Sequence, residues 1–291
     1  RRRRRQAEAR LLLAAERAAR EADACLLVLG THGFWESEGV DQPHARLPGL
    51  QDELVERVAA AARGPVVVVL NVGSPKALPW IEAVPAALLA HFGGEEMARA
   101  VVDTLLGASN PAGRLPTTWL RQPEHAPALL AAAASPPRGG NVEYSEGLRL
   151  GYRGLAAEQV LFPFGHGLSY TRFSYGPLEA RLVLRIDGDG GPRASAVLEV
   201  RNEGACAGSE VVQLYAQATC GTPVLCGFAR TPVLDPGDAF EVVFSLGPRA
   251  LGAWYDPTAG AWQAPAAGSV VLLHAGASLS DIRATNSLAL E

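Results

Sequence analysis

The apolar residues of this chain change their spacing part-way along, and that change most restricts the folds open to it. Up to about residue 106, short unbroken apolar runs alternate with stretches at helical spacing. Gln6–Ala22 sets Leu12, Ala15, Ala19 and Ala22 on one face, as an amphipathic helix requires. Ala24–Leu29 (ACLLVL) is continuously apolar and ends at Gly30, which predicts a strand buried on both faces. Pro48–Ala62 returns to helical spacing through Leu50, Leu54, Val58 and Ala61. Asp52, Glu53 and Glu56 load its early turns, where the helix dipole favours negative charge. Pro65–Val72 predicts a second buried strand and Pro85–Ala90 a third, and Gly93-Gly94 leads into a helix over Met97–Leu106. Strands and helices in alternation with short connections predict a mostly parallel sheet covered on both faces.

Around Leu120–Gly140 the chain becomes rich in Pro, Ala and Gly, which predicts an irregular connection. From about Tyr170 the helical period disappears. Ala196–Arg201, Val211–Ala216, Phe240–Ser245 and Ser269–His274 alternate apolar with polar residues between Gly, Pro, Asp and Asn. Short strands of that kind predict an antiparallel β-sandwich. The 291 residues suffice for two domains. The expected division is a helical segment over 1–23, an α/β domain over 24–167 and an all-β sandwich over 168–291.

Composition removes several classes of function. Hydrophobic residues make up 48% and charged residues 19%, so a packed core is within reach and wholesale disorder is excluded. Net charge is −4 and Arg1–Arg5 is the one strong basic cluster, which argues against a nucleic-acid partner. The longest apolar stretch, near Ala126–Ala134, falls far short of the roughly 20 residues of a membrane span. Arg1–Arg5 lacks the apolar segment of a secretory signal, so no compartment is assigned from this end. Cys25, Cys206, Cys220 and Cys226 show no Cys-x-x-Cys spacing. Cys25 is expected to be a buried thiol, and Cys220 and Cys226 free thiols rather than a bridge.

Ligands of open α/β sheets sit at the carboxyl ends of the strands, which directs attention to the loop after Gly30. Thr31-His32-Gly33-Phe34-Trp35-Glu36-Ser37-Glu38-Gly39-Val40-Asp41 holds three carboxylates, two large aromatics and a histidine. No Gly-x-Gly-x-x-Gly or Gly-x-x-x-x-Gly-Lys is in place for a nucleotide. No His-Glu-x-x-His and no histidine cluster suits a metal, and no Gly-x-Ser-x-Gly suits acyl transfer. A carboxylic acid beside an aromatic ring does suit proton donation to a sugar, because the ring excludes water and desolvation favours the neutral acid. The plain alternative is a solvated loop, or a cap for the following helix.

Longer motifs weigh against that alternative. Phe34-Trp35-Glu36-Ser37-Glu38-Gly39-Val40-Asp41 and Leu47-Pro48-Gly49-Leu50-Gln51-Asp52-Glu53-Leu54 resemble the C-terminal α/β domain of glycoside hydrolase family 3. So do Val68–Asn71, Gly73-Ser74-Pro75, Leu78-Pro79-Trp80 and Asn110-Pro111-Ala112-Gly113-Arg114-Leu115-Pro116-Thr117-Thr118-Trp119. Tyr144-Ser145-Glu146-Gly147, Gly151-Tyr152-Arg153 and Phe162-Pro163-Phe164-Gly165-His166-Gly167-Leu168-Ser169-Tyr170 are similar to the join with the family's all-β immunoglobulin/fibronectin type III-like domain. Leu225–Phe228, Leu234–Gly237 and Ala275–Arg283 are similar to that last domain.

The resemblance implies a retaining β-glycosidase, β-glucosidase-like, acting on O-glycosidic bonds without a cofactor or metal. It implies an Asp nucleophile on an N-terminal (β/α)₈ barrel and a Glu acid/base on the loop found here. The acid/base falls on Glu38, with Glu36 the second choice. Trp35 and Phe34 would face the β-glucoside or related oligosaccharide, and Asp41 would help hold the loop. The family usually carries Arg where this chain has Gln42, and commonly Pro-Gly where it reads His91-Phe92-Gly93-Gly94-Glu95-Glu96. A barrel takes about 250 residues, and nothing upstream of Ala24 supplies one. The barrel is therefore expected in cis on a longer chain or in trans on another. The alternative is a non-catalytic carbohydrate-binding or assembly subunit.

Overall fold

A computed structural model describes residues 2–39, 42, 44–122, 147–183, 193–218, 221–263 and 265–290. Asp41, Cys220, Tyr144-Ser145-Glu146 and most of the Leu120–Gly140 connection lie outside the described residues. The chain forms two units. The first holds residues up to Leu105, the described part of 119–146, and Ala156–Leu161. The second holds Leu106–Thr118, Gly147–Leu155 and the chain from Phe162 onward.

The first unit is built from α1 (Arg2–Glu21), β1 (Cys25–Gly30), α2 (Gln51–Ala61), β2 (Val66–Asn71), β3 (Ala86–Leu89) and α3 (Met97–Leu105). The three strands lie parallel in the order β1-β2-β3. The β-branched run Val66–Val69 suits the central place, and Val66, Val68, Val69 and Leu70 are buried there. Ala19 of α1 and Val58 of α2 close over Val66, with Cys25 and Leu27 against the same cluster. On the alternate positions Leu26 and Val28 are 54% and 66% exposed. The expectation that β1 is buried on both faces is thus corrected. β1 is an edge strand, and a continuous apolar run reads the same in either position. α3 buries no side chain fully, so the expected cover on the sheet's second face is also incomplete among the described residues. A short pair, β4 (Trp119–Leu120) and β5 (Val160–Phe162), stands apart from this sheet.

The second unit is the antiparallel part. β6 (Phe173–Tyr175), β7 (Glu179–Val183), β8 (Arg193–Asn202) and β11 (Ala239–Leu246) form one sheet, with β8 between β11 and the β6/β7 edge. β9 (Val211–Ala218), β10 (Val224–Arg230), β14 (Val270–Ser278) and β15 (Asp281–Ala289) form the other, in the order β10-β9-β14-β15. β12 (Trp254–Asp256) and β13 (Ala261–Gln263) make a small hairpin. Ala196, Leu198 and Val200 from β8, with Val242 and Phe244 from β11, meet Val212 and Leu214 from β9 and Val271 and Leu273 from β14 in one core. Burial alternates residue by residue along β8, as the period of two predicts. Cys226 is a free thiol, pushed up to about 11 by burial.

The Asn110–Trp119 motif acquires a physical meaning in this unit. Asn110 Oδ1 accepts from Ser169 Oγ and Tyr170 N at 3.0 and 2.9 Å, and its Nδ2 donates to Ala207 O at 3.0 Å. Arg114 pairs with Glu210, and their side chains are 8% and 2% exposed. Glu210 also accepts from Val211 N at 2.7 Å. Removing Arg114 leaves the buried Glu210 carboxylate with only the longer contact to Arg283 Nη1 at 3.9 Å, and a buried charge that loses its close partner is costly. Arg114→Met is therefore expected to lower unfolding free energy by about 3–5 kcal/mol, whereas Arg114→Met with Glu210→Leu should cost much less. Urea unfolding of the chain measures both, and equal losses would show that the pair does not act as one.

Candidate active site

The three parallel strands end side by side, and their following loops meet there. Thr31 N donates to Asn71 O at 3.1 Å and Ala90 N to Leu70 O at 2.8 Å, so the exits of β1, β2 and β3 are tied together. Gly30 lies so close to β2 that a Cβ would stand 2.3 Å from Asn71 O. Gln51, in the first turn of α2, clamps this glycine from the other side. Gly30 N donates to Gln51 Oε1 at 2.8 Å, and Gln51 Nε2 donates to Gly30 O at 2.9 Å. The neighbouring Asp52 accepts from the indole of the buried Trp80 at 2.8 Å. Burial pushes the Asp52 carboxyl up, against the lowering effect of that indole. The Leu-Pro-Gly-Leu-Gln-Asp motif therefore works by fixing the first two loops.

The loop after β1 begins with a tight turn, Trp35 N and Glu36 N both donating to His32 O at 2.7 and 3.0 Å. The turn sends Glu36 back over the strand ends. Glu36 Oε2 accepts from Gly73 N at 2.8 Å and Oε1 from Ser74 Oγ at 2.9 Å. Lys76 Nζ stands 2.6 Å from Glu36 Oε1, with the lysine side chain fully enclosed. Gly73 makes room for this, because a Cβ would lie 2.5 Å from Glu36 Oε2 and 2.6 Å from the ring of Phe92 and would force both side chains to shift. Phe92, in the loop after β3, thus brings the third loop onto the same spot. Burial tends to raise the Glu36 carboxyl, but hydrogen bonds from Lys76, Ser74 and Gly73 outweigh it and hold the group below the ordinary carboxylate range. Glu36 is a fixed anion.

Glu38 differs in every respect. It is exposed at the loop tip and makes no hydrogen bond or ion pair among the described residues. Phe34 is 94% exposed, its ring edge-on to His32 at 6.1 Å. Trp35 is half-buried against His44 at 5.2 Å, and its indole Nε1 has no hydrogen-bond partner among the described residues. The structure therefore brings Glu36 into a network and leaves Phe34 and Glu38 facing outward, while Asp41 lies outside the described residues. Gln51, Ser74 and Lys76 escaped the reading of the sequence as site residues. Lys76 did leave a trace, being a lone charge in Pro75-Lys76-Ala77-Leu78-Pro79-Trp80, where burial demands a partner.

Residues 4–170 match the glycosyl hydrolase family 3 C-terminal domain, and residues 210–278 a fibronectin type III-like domain. The chain belongs to glycosyl hydrolase family 3. A β-glucosidase of Rhizobium radiobacter is 40% identical to it over 281 residues, 94% of this chain and 33% of that protein. Thermostable β-glucosidase B of Acetivibrio thermocellus is 37% identical, over 84% of this chain and 32% of that protein. The β-glucosidase of Kluyveromyces marxianus, solved in complex with glucose, superposes with a TM-score of 0.85 at 31% identity, covering 96% of this chain and 33% of that one. The chain thus spans about a third of the length of these relatives. An α/β domain with a parallel sheet followed by an all-β sandwich is what the family match and the observed strands have in common.

Proposed function

We propose that this chain is the C-terminal portion of a retaining β-glucosidase-like enzyme and that Glu38 is its general acid/base. Glu36 holds the loop, Phe34 and Trp35 border the sugar, and Asp41 steadies the loop beyond Glu38. The nucleophilic Asp belongs to a (β/α)₈ barrel, in cis on a longer chain or in trans on another. Residues 24–167 carry the acid, and 168–291 form the sandwich domain that follows. One observation carries the choice between the two glutamates: three donors hold Glu36 as an anion, while Glu38 is exposed and unengaged among the described residues. A group fixed in its charged form by three donors is poorly suited to giving up a proton, whereas a carboxyl at an open loop tip is free to reach a glycosidic oxygen. The relatives' names and the glucose complex of one of them support a β-glucoside as substrate.

Retention requires two carboxyl groups roughly 5–5.5 Å apart, one attacking the anomeric carbon and the other donating a proton and then accepting one from water. A barrel-bearing form of the protein should accordingly release β-glucose first from an aryl β-glucoside, as followed by proton NMR before mutarotation. Initial release of α-glucose would overturn the reading, and sugar binding without hydrolysis would favour a carbohydrate-binding or assembly subunit.

A further inference from the structure

The network under Glu36 closes on itself. Lys76 Nζ has three acceptors within reach, Gln42 Oε1 at 2.6 Å, Glu36 Oε1 at 2.6 Å and Ser74 Oγ at 2.8 Å. An ammonium group has three N–H donors and no acceptor capacity, so the lysine is saturated. Ser74 Oγ accepts from Lys76 and from Gln42 Nε2, the latter at 3.1 Å, and donates to Glu36. A hydroxyl offers one donor and two lone pairs, so it too is saturated. Gln42 uses its carbonyl on the lysine and its amide on the serine. Only a neutral group with both an acceptor and a donor fits between that ammonium and that hydroxyl. A second cation at position 42 would face the Lys76 ammonium in an enclosed space, where like charges repel strongly.

We infer that Lys76 is the positioning residue of the acid/base loop, and that Gln42 and Lys76 form one exchangeable unit in which a single cation, at either position, holds Glu36. The lysine reaches up from the loop after β2, binds the Glu36 carboxylate from the loop after β1, and so sets the direction in which Glu38, two residues on, leaves the strand ends. Gln42 adds no charge of its own, and the one cation of the unit stands at Lys76. The consequence for catalysis rests on the glycosidase reading above; the latch itself does not.

The unit makes a sign-reversing prediction. In the 291-residue chain, Lys76→Met leaves the partly buried Glu36 carboxylate without a counter-ion, and Gln42→Arg sets two cations against each other. Each single change should speed hydrogen exchange of the Gly73 amide at least about tenfold, the equivalent of losing one hydrogen bond to a charged group. Each change should also alter the carbon-13 NMR titration of Glu36, upward for Lys76→Met because burial is then less opposed. The double change Gln42→Arg with Lys76→Met should restore both readouts towards the wild type, since one cation remains. Singles that leave exchange and titration unchanged overturn the inference, and so does a double variant at least as perturbed as the two singles together. Should Lys76→Met fail to fold, Gln42→Arg and the double variant decide by the same criterion. In a barrel-bearing form, Lys76→Met should lower kcat on an alkyl β-glucoside with KM little changed, and Gln42→Arg should rescue it. Absence of hydrolysis by the parent barrel-bearing form would sink the glycosidase reading alone, because exchange and titration do not pass through catalysis.

Discussion

Mixed with an aryl β-glucoside, the 291-residue chain by itself should show no turnover above the buffer rate. The proposed acid is present, yet a positioned proton donor contributes only roughly 10²- to 10⁴-fold. Glycoside hydrolysis by enzymes needs many further orders of magnitude, and these come from covalent attack and from preorganised contacts to the sugar. The parallel sheet described here has three strands, against the eight of the barrel to which the reading assigns the nucleophile. Steady-state assay of the purified chain, with Glu38→Gln as control, measures this directly. Turnover that disappears in Glu38→Gln would mean that these residues contain their own nucleophile, and the division of labour proposed here would fail.

A form that carries the proposed barrel tests the acid itself. Glu38→Gln in such a form should reduce kcat/KM on an alkyl β-glucoside by roughly 10²- to 10⁴-fold. On a strongly activated aryl β-glucoside the loss in bond cleavage should be small, because a stable phenolate leaves without being protonated. The limb of the pH profile that reports the acid should vanish as well, since glutamine does not titrate. Glu36→Gln should behave otherwise. It removes the anion that receives Gly73 N, Ser74 Oγ and Lys76 Nζ, so the acid is mispositioned and both substrates should suffer alike. A dependence on leaving group in Glu36→Gln, absent in Glu38→Gln, would transfer the role to Glu36.

The two glutamates also mark where reading the sequence stops. Glu-x-Glu-Gly-x-Asp puts two carboxylates on one loop, and residue type cannot separate them because they share side-chain chemistry and neighbours. Their difference comes from groups far along the chain: Gly73, Ser74 and Lys76 are 37, 38 and 40 positions beyond Glu36 and meet it only because β1 and β2 lie parallel with their ends aligned. The bare side of β1 was hidden for a similar reason. Leu26 and Val28 are as apolar as Cys25 and Leu27, and only the placing of α1 and α2 over one face decides which pair is covered.

What the chain's sequence determined unaided was local and periodic. Continuous apolar runs become parallel strands, alternating ones become the sandwich, and the Leu47–Leu54 and Asn110–Trp119 motifs carry their family with them, since spacing and backbone constraint act between near neighbours. What the tertiary structure decided was charge. Whether a carboxylate is pinned or open, and whether a lysine is solvated or enclosed, depends on distance through space and on excluded water, and the linear order of residues records neither.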